Sequence, residues 1–182
     1  MNSAYWFLKK KYWKYFGRKQ SINYLENTIV EKVAHCQSYN SLEFMEAITS
    51  HFIKNPDPHV VPVYSFNIWR RDKANENYIY SYNMMRLKKI SYNEKLLIDL
   101  VGNYYDKYGA GACLQNVSYY NAQERLPLLF NFLKTITMQD RYYDIHSENI
   151  MTDNDGNYRL IDLEGFIKTP LAQDKNNWIK RD

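Results

Sequence analysis

The 182-residue chain reads as an α+β protein, and three observations predict it. Runs rich in β-branched and aromatic residues gather in the first half, at 28–36, 59–69 and 78–85. Helical periodicity dominates from 91 to 140, and one further amphipathic helix interrupts the strands. A short strand, turn, strand pattern returns at 149–162. The strands form a small antiparallel lobe and the helices a second part behind it. With 45% hydrophobic and 24% charged residues, the chain has enough apolar material for one sizeable core, and one compact, bilobed unit is expected rather than a disordered protein.

The elements follow in order. "TIVEKVAHC" alternates toward β-branched residues and predicts a strand carrying Lys32. Asn40 as N-cap with Glu43 three residues on then opens a helix whose Leu42, Met45, Ile48, Phe52 and Ile53 share one side. Glu46 lies beside that stripe and Glu43 points away from it, so Glu46 is the acid placed to face a neighbouring sheet. "NPDP" stops the helix, and "HVVPVYSFNIW" and "YIYSYNMM" predict two strands joined by the polar turn "RRDKANEN". Ser91 and Glu94 form a second capping box, after which Leu97, Leu100, Val101, Tyr104, Tyr105 and Tyr108 recur at helical spacing up to Gly109. The loop "GAGACLQNVSYYNAQ" has too few glycines, wrongly spaced, to cradle a phosphate. "ERLPLLFNFLKTITMQD" predicts a third helix with Leu126, Leu129, Phe130, Leu133 and Thr137 on one side.

Charge and cysteine usage narrow the setting. Residues 1–20 hold Lys9, Lys10, Lys11, Lys14, Arg18 and Lys19 and no acid, interleaved with Tyr5, Trp6, Phe7, Tyr12, Trp13, Tyr15 and Phe16. Such a segment suits a nucleic-acid backbone with stacked bases, a membrane surface, or docking of its aromatics on the domain itself. No apolar run approaches the length of a membrane span, and the opening residues lack the apolar core of a secretory signal, so a cytoplasmic location is expected. Cys36 and Cys113 belong to no metal or redox spacing and are expected as reduced, partly buried thiols.

The chemistry concentrates in "YYDIHSENIMTDNDGNYRLIDLEGF", residues 142–166. Asn149 opens one short strand, "TDNDGN" supplies turn residues, and "YRLID" returns to end on Asp162, so a hairpin brings Asn149 and Asp162 together. An amide oxygen and a carboxylate are hard ligands suited to a magnesium ion that keeps waters and substrate phosphates as its other ligands. Asp144, on the loop leading into Asn149, is placed to accept the proton of an attacking hydroxyl, as phosphoryl transfer asks of a base. A carboxylate ending the apolar run "RLID" would be costly to bury unless paired or metal-bound.

These residues carry a family resemblance. "YDIHSENIM", followed thirteen residues after Asn149 by Asp162 in "LIDLEGF", resembles the catalytic loop and magnesium-binding segment of the protein-kinase-like superfamily. With His146 two residues after Asp144, the run is more similar to the atypical and aminoglycoside-phosphotransferase-like branches, and most of all to the early-expressed protein kinases of short-tailed bacteriophages. The resemblance implies a bilobed protein-kinase-like fold with a truncated helical second lobe. The basic aromatic segment 1–20 would precede a single domain, 21–182, divided into a small lobe at about 21–83, a hinge at about 83–86 and a large lobe at about 87–182. It implies ATP and Mg2+ as cofactors, with Lys32 holding phosphates and paired to Glu46, Asp144 as catalytic base, Asn149 and Asp162 as metal ligands, and the backbone of Asn83, Met84 and Met85 meeting adenine. His146 would support the loop, as a lone structural histidine also would.

Departures are visible too. Before Lys32 stands only Gly17 where a glycine-rich phosphate loop would lie, and Tyr142 and Tyr143 replace the His-Arg that precedes the family's catalytic Asp. No arginine is in place there to read a phosphorylated loop, so activity is expected to be constitutive. Three functions are expected to compete: an ATP-dependent kinase acting on a protein, a phage-encoded modifier of host proteins by the resemblance; a kinase-like nucleotide-binding or interaction module without catalysis; and a small-molecule phosphotransferase.

Overall fold

The structure is a computed structural model that describes residues 20–25, 28–109, 122–138 and 142–166. The basic aromatic segment up to residue 19, the loop with Cys113, and residues 167–182 lie outside the described residues.

Four antiparallel strands form the main sheet: β1 (Gln20–Tyr24), β2 (Ile29–Cys36), β3 (Val63–Asp72) and β4 (Asn77–Met85), in the order β1-β2-β4-β3. β2 and β4 are central and mostly buried, and they enclose the polar side chains of Glu31, Lys32 and Ser81 along with their apolar ones. β1 is a strand that the polar sequence "QSINY" does not announce; pairing with β2 makes it one. β3 starts four residues later than its apolar run. His59–Val61 instead joins the second hairpin, where Val60 bridges Leu160 in parallel, and Asp72 closes the turn by accepting from the Asn75 amide.

α1 (Tyr39–Lys54) packs chiefly on β3 and buries Leu42, Met45, Ile48 and Phe52, as its periodicity predicts. Its cap differs from expectation. Ser38, in extended backbone, takes the N-cap position without a side-chain bond, and Asn40 and Glu43 both lie within the helix, Glu43 beyond its first turn. The Ser38 carbonyl already accepts from Leu42, so the helix begins before the sequence's better-looking cap.

α2 (Tyr92–Tyr108) carries the predicted capping box, with Ser91 accepting from the Glu94 amide and Glu94 from the Ser91 amide. The expected third helix is split into a turn, α3 (Ala122–Arg125), and α4 (Pro127–Met138). Pro127 has no amide hydrogen to continue α3 but suits a first helical position, where the Leu126 carbonyl accepts from Phe130. The hairpin β5 (Ile150–Thr152) and β6 (Tyr158–Leu160) leads into a single helical turn, Leu163–Phe166. One apolar cluster runs from the sheet through α1 into α2, α4 and the hairpin. Among the described residues, no helix is long and apolar enough to cross a membrane. Cys36 is a free, partly buried thiol that burial pushes above its ordinary pKa.

Candidate active site

The site forms where the sheet meets the hairpin. Lys32 is on β2 opposite Ile22 of β1 and Tyr82 of β4, and directly opposed residues share a face. Alternation puts Tyr80 on that face as well. The face is turned toward Ile161–Glu164, because the Tyr82 hydroxyl donates to the Ile161 carbonyl at 3.5 Å and the Tyr80 hydroxyl to Glu164 Oε1 at 2.8 Å. β6 stops at Leu160, before the expected end at Asp162; Asp162 lies two residues beyond it, and its Oδ1 meets Lys32 Nζ at 2.9 Å, with side chains only 14% and 7% exposed.

Burial of the ammonium works against its charge, but the Tyr82 phenol and the Asp162 carboxylate outweigh that penalty and hold Lys32 above the ordinary lysine value. The Tyr82 hydroxyl, fully enclosed, is pushed up to about 12, chiefly by burial and against the opposing pull of Lys32.

The expected partner of Lys32 is elsewhere. Glu46 is 47% exposed, and its Oε2 accepts from Arg71 at 3.3 Å. Because α1 leans on the edge strand β3, the flank bearing Glu46 meets Arg71 of that strand, and Asp162 takes the place by Lys32.

The residues of the expected hinge lie in the sheet. Asn83, Met84 and Met85 are not a connection between lobes but the end of central strand β4, opposite Glu31, Val30 and Ile29 on one side, with Ser65 and Val63 opposite Asn83 and Met84 on the other. The Met85 amide donates to Pro62, so the backbone there is engaged by the sheet. The chain leaves the sheet one step later: Arg86 donates to Thr28, Lys88 exchanges two bonds with Thr152, and Leu87 between them makes no backbone hydrogen bond among the described residues. The Arg86 guanidinium lies 4.9 Å from the centre of the exposed Tyr24 ring, on the same side of the sheet.

Asp144 and Asn149 meet as the hairpin reading requires. The Asn149 amide nitrogen donates to the Asp144 carbonyl at 3.0 Å and to its Oδ2 at 2.9 Å, which leaves the amide oxygen as the end available to a cation. His146 Nδ1 is 3.3 Å from the Glu148 amide and accepts from it, so Nε2 carries the proton and faces Asp144 Oδ2 at 3.4 Å. Both contacts fall on Oδ2.

Asp162 and Asn149 are tied together by a residue whose role the sequence does not signal. Tyr142, fully buried, donates to the Asp162 carbonyl at 2.8 Å with the Asn149 side chain beside it. Asp99 of α2 accepts from the Ser147 amide at 2.7 Å, and Gly102, one turn on, packs against the Ile145 carbonyl so closely that a Cβ would stand 1.9 Å from its oxygen. The sole hint of these contacts is an acid and a glycine three apart beside the apolar face of α2. Asp153, in the hairpin turn, accepts from Asn157 and Arg159 and is structural.

No family model matches the chain, and no curated protein does. Among solved structures, the crystal structure of monomeric WbdD is similar over 91% of this chain, at 14% sequence identity and a TM-score of 0.41. This chain spans 37% of that one.

Proposed function

We propose that the chain is a minimal ATP- and magnesium-dependent kinase of protein-kinase-like architecture that transfers the γ-phosphate to a protein hydroxyl. One observation carries the reading: a buried lysine, two carboxylates and an asparagine amide, drawn from β2, the 142–149 loop and the hairpin, converge with Tyr142 between them. The donor set fits a hard cation, since the Asp162 carboxylate and the Asn149 amide oxygen flank the open end of the hairpin and Lys32 balances the buried charge. Bound magnesium would supply charge neutralisation at the phosphates.

The remaining work falls to the chain's own groups. Lys32 releases Asp162 and turns its ammonium to the phosphates. His146 and Asn149 hold Asp144 by Oδ2, which leaves Oδ1 to orient the acceptor hydroxyl and take its proton. The Leu87 amide and carbonyl, not those of Asn83–Met85, are the backbone groups offered to an adenine edge, with Ile22 and Tyr24 of β1 exposed.

The direct Lys32–Asp162 contact favours one second reading, a nucleotide-binding module without transfer, because it occupies both groups. Phosphate transfer from labelled ATP with magnesium separates the two. Wild type should label a protein, and Asp162→Asn and Asp144→Asn should each lose at least about a hundredfold, near 2.7 kcal/mol of transition-state stabilisation. Magnesium-dependent nucleotide binding without any transfer would establish the module instead.

A further inference from the structure

We propose that Glu164, not Glu46, is the carboxylate that pairs with Lys32 when Asp162 turns to a metal ion. The inference rests on the nucleotide-binding reading above and names a positioning residue for it. A buried ammonium that loses its carboxylate partner is costly, so the side chain that moves from Asp162 to a phosphate needs another carboxylate at hand.

Glu46 is poorly sited for that task. It is held by Arg71 toward the edge of the sheet, and both side chains are about half exposed. The Glu164 backbone already meets the lysine's partner. Its amide donates at 3.2 Å to Asp162 Oδ1, the same oxygen that Lys32 contacts at 2.9 Å, so the ammonium and the Glu164 backbone meet at one atom.

Its carboxylate is aimed from the sheet. Tyr80 and Tyr82 are successive side chains on the face that carries Lys32, Tyr82 directly opposite it, and the buried Tyr80 hydroxyl donates to Glu164 Oε1. Burial, then the Glu164 charge, drives the Tyr80 phenol far above its ordinary value, so this donor stays protonated at any working pH. Glu164 is exposed and its backbone already meets the oxygen that Lys32 contacts, whereas Glu46 is engaged by Arg71 of β3.

Two measurements on the full chain test this. In the first, Lys32 acylation by an amine reagent is mapped by mass spectrometry without nucleotide. In an Asp162→Asn background, adding Glu164→Gln should raise the Lys32 rate about fivefold, and adding Glu46→Gln should raise it less, because a nearby carboxylate keeps the amine protonated. In the second, binding of a fluorescent non-hydrolysable ATP analogue with magnesium should weaken about tenfold in Glu164→Gln, less in Tyr80→Phe and less in Glu46→Gln, with unfolding temperatures near wild type. A Glu46→Gln effect equal to or larger than that of Glu164→Gln, in either measurement, overturns the proposal. Absence of nucleotide binding by wild type would defeat the functional reading, while the acylation result still decides the Lys32–Glu164 pairing.

Discussion

At Tyr142 the ring and the hydroxyl have separate tasks. The ring lies over Gly165, where a Cβ would come within 2.2 Å of it, and packs edge-on against Phe166, while the hydroxyl fixes the Asp162 carbonyl. Asp153 acts in the same way on the hairpin turn. Burial would raise its carboxyl, but the Arg159 guanidinium and the Asn157 amide outweigh that and bring it down to about 2, below the ordinary 3.8. A depressed carboxylate stabilises the fold fully above its unfolded value and loses that contribution as pH falls through the folded one. The stability advantage of wild type over Asp153→Asn should therefore be constant above about pH 4 and shrink toward about pH 2, as thermal unfolding across that range would measure. Composition of the turn was legible as turn chemistry, but not which of its acids, Asp153 or Asp155, turns inward, since that depends on where Arg159 lies after folding.

Among the elements, α2 places the 144–149 loop. Its capping box was readable because Ser91 and Glu94 act within one turn and need no distant partner. The contact through Gly102 was not, because it is a meeting between a helix and a loop that chain spacing does not encode. Gly102→Ala would gain roughly 1 kcal/mol of helix propensity. The Cβ would nevertheless collide with the Ile145 carbonyl, a backbone group that cannot rotate away. Overpacking of about 1–3 kcal/mol should win, giving a lower urea midpoint, together with a loss of phosphate transfer as Asp144 and Asn149 shift. The start of α1 shows the opposite failure. Asn40 and Glu43 make a better cap by composition, yet the helix begins at Tyr39, where Tyr39 and Tyr78 pack ring to ring.

For the whole molecule, one sheet face, one hairpin and one loop create the site, so a ligand held there should stabilise the entire fold. ATP with magnesium at about a hundred times its dissociation constant should add about 2.7 kcal/mol to the unfolding free energy, seen as a raised unfolding temperature. Asp162→Asn should abolish most of that gain, and ATP with the magnesium chelated should give less of it than ATP with the metal. β4 explains why the backbone of Asn83, Met84 and Met85 is engaged by the sheet. "YIYSYNMM" is apolar to its end, and a strand with neighbours on both sides keeps its backbone bonds to Met85, so the backbone offered to a ligand begins only after it.

The sequence by itself determined the α+β composition, the apolar faces of α1, α2 and α4, and the nearness of Asp144, Asn149 and Asp162, because each depends on periodicity or on a hairpin a few residues long. Tertiary structure decided which charges meet. Lys32 took Asp162, Glu46 took Arg71 and Tyr80 took Glu164, because partner choice follows from how α1 lies across the sheet and how deeply the 161–164 segment tucks beneath it. Those are properties of packed surfaces far apart in the chain, where a shift of one helix diameter exchanges every ion pair while leaving each local pattern unchanged.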